Sequence, residues 1–284
     1  MTARTHVPLR SRSSSSSRSA SSITGYSHRL TKRDYQILIE LHEHRVLTTP
    51  QIYELHFDTL TRASKRMLQL YRLGLVERFR PHTPTGSAPW HYTLDEPGAR
   101  LVAARQEIDF KDFTFKKARI FDVVGSPRLR HRVECNGFFA RLTLACRRRG
   151  WRLEWTGERR ATASWNSVIS PVGIGRIVAD DGEISFFLEY DRGTENHDQL
   201  ENKTCRYHIV GRTHRSEDAL LFVFPSGVRE RYARSALVDA SVPVATAVRG
   251  DVLRHPLGTV WLPLHDDRRR LILDLPRLPR DDPG

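Results

Sequence analysis

Acidic residues are the first scarcity in this chain: 33 Asp and Glu stand against 46 Lys and Arg, and residues 1–29 hold five arginines with no acid at all. The resulting net charge of +13 favours a polyanionic partner. Lysine is scarce as well. Only six of the basic residues are lysine, so the positive charge is carried mainly by guanidinium groups, which suit bidentate phosphate recognition. Cysteine occurs three times, at Cys135, Cys146 and Cys205, never as CxxC. This argues against a disulfide framework or a thiolate zinc site and fits a reducing cytoplasm. Apolar runs are short, far from the ~18 residues of a membrane span, and no apolar stretch of roughly 7–15 residues follows the basic N-terminus as in a secretory leader. A cytoplasmic protein without a membrane partner is expected. Phosphate-loop, HExxH and GxSxG patterns are missing, which excludes P-loop ATPase, zincin and serine hydrolase chemistry.

What is present falls into segments. Residues 1–27 contain SRSSSSSRSASS, too poor in apolar groups to offset ordering entropy, and are expected to be a disordered tail making loose phosphate contacts. From residue 28 the pattern becomes helical. Tyr35, Leu38, Ile39 and Leu41 recur at helical spacing after Thr31. Thr48-Thr49-Pro50 starts a short helix to His56, and residues 61–73 form a third helix ended by Gly74. On this third helix Leu60, Ala63, Met67, Leu70 and Tyr71 share a stripe, with Arg62, Lys65 and Arg66 outward. Leu75–Arg80 and Trp90–Leu94 then alternate as a hairpin around a turn-rich loop.

Three short helices and a basic hairpin resemble a winged helix-turn-helix, in which the third helix enters the major groove and the hairpin follows the backbone. Double-stranded DNA is the expected partner. Arg62, Lys65 and Arg66 are the helix contacts in this reading, and Arg78, Arg80 and His82 those of the wing. Such domains also serve as protein-docking modules, and a charged helix face is commonly only solvated. The winged-helix domain is expected over residues 28–108, with a linker over 109–126.

A second domain is expected over 127–265. It opens with a long amphipathic helix ending at Gly150 and continues with strands at Trp151–Trp155, Ser167–Val172, Gly175–Ala179 and Ile184–Tyr190. A helix over His197–Ile209, a strand over Leu220–Phe224 and a helix over Ser226–Leu237 follow. The class is α/β (α+β), with residues 266–284 as a C-terminal tail. In SFFLEYDRGTE, residues 185–195, Glu189 and Asp191 fall on one strand face about 6–7 Å apart. Two carboxylates there need a cation or an arginine. Hard oxygen ligands of this kind suit Mg²⁺. Lys203, spaced by three and four from Leu200 and Tyr207, turns inward and reaches back to the carboxylates.

FFLEYDRGTE, followed by a helix with LENK and a tyrosine and preceded by LTKRDYQIL, resembles the replication-relaxation family of actinobacterial plasmids and integrative elements. The likeness spans most of residues 28–240. It implies a role in plasmid or mobile-element replication, relaxation or transfer, and a second domain similar to the PD-(D/E)xK restriction-endonuclease-like fold. Glu189 then matches the first acid of the acid-x-Lys motif. Two positions depart from that pattern: Asp191 stands where the motif has lysine, leaving that role to Lys203, and Val172 stands after Pro171 where an aspartate is expected. Three readings follow. One is a DNA-binding accessory protein with a degenerate nuclease-like domain, partnered by a relaxase or replication protein of the same element. Another is a Mg²⁺-dependent endonuclease or nickase using Glu189, Asp191 and Lys203 as catalytic residues, with Glu189 and Asp191 as metal ligands. The last is a winged-helix transcriptional regulator.

Overall fold

The computed structural model describes residues 29–83, 86–115, 126, 128–214 and 218–276. The tail read in residues 1–27, most of the 109–126 linker and residues 277–284 lie outside the described residues. Chain contacts divide the protein into two compact units, residues 1–136 and 137–284. Mixed helices and two separate sheets make the class α+β.

In the first unit, α1 (Lys32–His44) begins with a reciprocal cap. The Asp34 amide donates to the Thr31 hydroxyl, and the Asp34 carboxylate accepts from the Thr31 amide at 2.6 Å. Strand β1 (Leu47–Thr48) runs into α2 (Thr49–His56), where Thr48 and Gln51 repeat the device and Pro50 occupies the first turn. α3 (Leu60–Arg72) starts at Thr59. Its end is set by Gly74, left-handed at φ +74°, with the Leu75 amide donating back to the Leu70 carbonyl.

Strands β2 (Val76–Phe79) and β3 (His91–Leu94) complete an antiparallel sheet of order β1-β3-β2. α4 (Glu96–Arg105) is capped by Asp95, and a side chain at Gly98 would meet the Leu75 carbonyl oxygen at 2.2 Å, so glycine allows this close approach. Ile37, Leu38, Leu41, Ile52, Met67, Leu70 and Tyr92 form the core. Ala63, Met67 and Leu70 are buried as the spacing predicts, but Leu60 is 48% exposed: it is the first residue of α3, ahead of the turn that meets the core.

α5 (Leu129–Arg148) contains the boundary between the units. The second unit is built on a six-stranded sheet of order β4-β5-β6-β7-β8-β9. β4 (Arg152–Gly157), β5 (Gly173–Ala179) and β6 (Gly182–Tyr190) are antiparallel, and Asp180-Asp181 form the two-residue turn between β5 and β6. β7 (Ala219–Phe224) and β8 (Val244–Val248) run parallel to β6, with crossovers α7 (His197–His214) and α8 (Gly227–Ala236). A helix α9 (Arg249–Arg254) and a short antiparallel strand β9 (Leu262–Pro263) close the sheet.

All six residues of β7 are buried, as expected of a parallel strand covered on both faces. On one face Phe186 joins Trp155, which stacks on Phe139, while Phe138 meets Trp261. On the other, Phe187 packs with Leu200, Tyr207, Phe222 and Phe224. β5 passes beneath the aromatic layer through Gly173 and Gly175, where a Cβ would fall 2.1 Å from the Trp155 ring and 2.3 Å from the Phe186 ring.

Two sequence expectations change here. Ser167–Val172 is not a strand. A helix α6 (Glu158–Ser164) intervenes, Asn166 and Ser167 take left-handed φ, and the apolar SVISPV run forms a loop beside β6. The segment from residue 266, read as a tail, is packed as far as Leu275: Ile272 and Leu275 are buried, and Arg269 pairs with Glu230 at 2.6 Å. Among the described residues no helix is long and apolar enough to cross a membrane.

Candidate functional site

Two regions gather the residues singled out in the sequence. The first is the outer face of α3 with the β2–β3 hairpin. α3 carries Arg62, Lys65, Arg66 and Arg72 and no acid. Arg62 and Lys65 are exposed. Among the described residues Arg62 pairs with Asp58 at 3.4 Å, between side chains 70% and 81% exposed, a geometry worth little in water.

Arg66 is placed otherwise. Its Nε donates to Asp34 Oδ1 at 2.7 Å and a terminal nitrogen donates to Asp34 Oδ2 at 2.5 Å, with a further bond to the Arg29 carbonyl. It therefore staples α3 to the start of α1. Burial alone would raise the Asp34 pKa, but the bonds from Arg66 and Thr31 hold it below the ordinary carboxylate value.

On the hairpin, Arg78 lies over the Tyr71 ring at 4.5 Å and over Trp90 at 4.1 Å, and Arg80 lies over Trp90 at 4.2 Å while donating to Ser87 Oγ at 3.0 Å. These contacts fix the direction of two guanidinium groups. Trp90 was missed as a functional residue in the sequence; its place one residue before an alternating strand was the available signal. His82 is exposed.

The second region is the C-terminal end of β6. Strand alternation puts Glu189 beneath α7, and the helical spacing of Leu200, Lys203 and Tyr207 brings two donors onto it. Tyr207 donates its hydroxyl proton to Glu189 Oε1 at 2.6 Å, and Lys203 Nζ donates to Glu189 Oε2 at 3.2 Å and to Glu195 Oε1 at 2.7 Å. Burial raises the Glu189 pKa, an effect that Lys203 and Tyr207 only partly offset. Burial would depress Lys203, but the two carboxylates outweigh it and hold the ammonium above its ordinary value. Tyr207 is pushed well up by burial and by the adjacent Glu189 charge.

Asp191, two residues along and fully buried, turns to a different partner. Arg229, from α8, donates through Nε to Oδ2 at 2.7 Å and through a terminal nitrogen to Oδ1 at 3.2 Å, and the Gly193 amide adds a bond at 2.9 Å. The same guanidinium holds the Glu195 carbonyl at 2.6 Å. The lysine reach foreseen from the sequence is thus present for Glu189, and the partner of Asp191 is an arginine 38 residues away.

These donors bear on Mg²⁺. Both oxygens of Glu189 and both of Asp191 already accept from cationic, phenolic or amide groups, and among the described residues no group of three or more His, Cys, Asp or Glu is gathered for an ion. The donor set does not fit a hard cation that keeps several waters. Val172, where the resemblance implies an aspartate, pairs its amide with the Leu188 carbonyl at 2.9 Å and brings an apolar side chain. Asp180 and Asp181 are exposed at the β5–β6 turn. A cavity of about 560 Å³ opens beside Glu189, its lining including Lys203, Arg206 and Tyr207 of α7 and Val168 and Ile169 of the loop after α6.

Comparison with known proteins gives no match among curated proteins and none among solved structures. A family model described as replication-relaxation matches residues 38–222, a span that takes in α3, the hairpin, Glu189, Asp191 and Lys203. The chain belongs to the replication-relaxation family.

Proposed function

We propose that the protein is a duplex-DNA-binding accessory factor of plasmid or mobile-element replication, relaxation or transfer. It works in the cytoplasm beside a relaxase or replication protein of the same element. The family supports the biological setting. The observation that carries DNA binding is the acid-free α3 with exposed Arg62 and Lys65, next to a hairpin whose Arg78 and Arg80 are held on aromatic rings. A helix for the groove and a basic hairpin for the backbone are the working parts of a winged helix-turn-helix, and we assign that role to residues 28–108. Fluorescence anisotropy of labelled duplex tests it: binding weakens steeply with salt, and replacement of Arg62 and Lys65 by alanine reduces it. Unaltered binding in that variant would remove the assignment.

One observation favours a hydrolytic second reading, the Lys203–Glu189 contact of 3.2 Å at the end of a central strand. The rest of that region supports a structural role, because the carboxylates are neutralised by side chains of the protein itself. Supercoiled plasmid incubated with Mg²⁺ or Mn²⁺ remains intact in our reading, equally for the wild type and Glu189→Ala. Nicking lost in the variant would instead establish the nuclease.

A further inference from the structure

The cavity beside Glu189 has a hydrogen-bonding inventory that the protein itself leaves incomplete. α7 sets Gln199, Asn202, Lys203 and Arg206 along its lining, at the spacing of three and four residues that shares a helix face. Arg206 has no hydrogen bond or ion pair with any described residue, and the same holds for the Asn202 side chain. Among the described residues the Gln199 side chain uses only its carbonyl oxygen, accepting from the Asn196 amide at 2.8 Å, which leaves its NH₂ unused there. Lys203 has three N–H groups, two of them directed to Glu189 and Glu195.

Val168 and Ile169 add an apolar ledge. A complementary ligand is therefore anionic and acceptor-rich at the arginine and has a ring or similar face for the ledge. It also has to fit about 560 Å³, within the ~300–1,000 Å³ of small-molecule sites.

We infer that this cavity binds a nucleotide through a terminal phosphomonoester, with Arg206 and the remaining Lys203 proton on the phosphate and the base against Val168 and Ile169. No bond is made or broken, so the site is a receptor. It does not depend on the α3 assignment. The same chemistry is offered by a free mononucleotide and by the phosphorylated end of a DNA strand.

Isothermal titration of the full chain with each deoxynucleoside monophosphate, the matching nucleosides and inorganic phosphate tests the site. 5′-phosphorylated and unphosphorylated short oligonucleotides are titrated into the Arg62→Ala/Lys65→Ala chain, so that α3 does not contribute. The expected result is saturable binding of a monophosphate, or of the phosphorylated end alone, at least about tenfold tighter than nucleoside or phosphate, a margin suited to charge-assisted bonds. Which of the two arms saturates names the source. Arg206→Ala, an exposed residue whose loss leaves the far-ultraviolet spectrum unchanged, weakens binding by about tenfold or more, and Asn202→Ala weakens it less. Failure of every phosphomonoester to bind, equal binding of inorganic phosphate, or full affinity in Arg206→Ala would overturn the inference. Loss of duplex binding in the α3 variant with retained nucleotide titration separates this site from the proposed function.

Discussion

Lys203 Nζ lies 2.7 Å from Glu195 and 3.2 Å from Glu189, so one ammonium serves two carboxylates at the end of a buried strand. Lys203→Met leaves that charge uncompensated and should cost about 3–5 kcal/mol at neutral pH. The loss shrinks as pH falls through the raised folded value of Glu189, where the carboxylate takes up its proton. Urea unfolding at pH 5 and pH 8 reads the difference. In the wild type, Lys203 and Tyr207 have raised folded pKa values. Their contribution is therefore present below the ordinary values of 10.5 and 10.0 and is lost as pH rises through the folded ones. Tyr207→Phe and Lys203→Met, each less stable at neutral pH, should each lose less further stability than the wild type as pH rises through the folded values, and urea unfolding across the alkaline range reads that flattening.

Arg66 and Asp34 should separate from the other α3 positions. Asp34 is buried and its pKa is lowered, so its stabilisation is present above the ordinary value of 3.8 and disappears as pH falls through the lower folded value. Arg66→Ala is expected to destabilise by about 3 kcal/mol at pH 7, the scale for an unpaired buried charge, and by much less at pH 3. Equilibrium denaturation at the two pH values checks the sign.

Arg62→Ala/Lys65→Ala should do the opposite, leaving stability within about 0.5 kcal/mol while weakening duplex binding. The slope of log affinity against log salt should fall by about 1.8, the release expected for two phosphate contacts. A measured salt titration of wild type and variant gives that number directly.

Trp90→Ala removes the ring under both Arg78 and Arg80. Each such contact is worth about 0.5–1 kcal/mol at an exposed site, so duplex affinity should drop several-fold with little change in melting temperature, and Trp90→Phe should recover part of it. Equal affinities in the three proteins would show the stack to be incidental.

The local order of this fold was legible because it is written at short range. Thr31 and Asp34, Thr48 and Gln51, the Gly74 stop and the Asp180-Asp181 turn each sit within a few residues of what they control. Lys203 could be aimed at Glu189 for the same reason: two periodicities, of strand and helix, fix both faces. Arg229 could not be chosen over nearer arginines, since its pairing with Asp191 depends on α8 crossing back over the sheet. β8, five residues long and without alternation, has no periodic signature, and Arg66 reads as an outward charge until α1 is placed beside it. The 167–172 run was misread because its apolar residues answer to the cavity and β6 rather than to a ladder of their own.

The family match stops at Phe222, inside β7, whereas the guanidinium that neutralises Asp191 arrives seven residues later. A fragment truncated at that limit would strand a carboxylate in a greasy interior and leave a central strand half-built, its backbone groups open to any neighbouring chain. Expression boundaries for this protein should therefore be drawn beyond Leu275, the last buried side chain among the described residues.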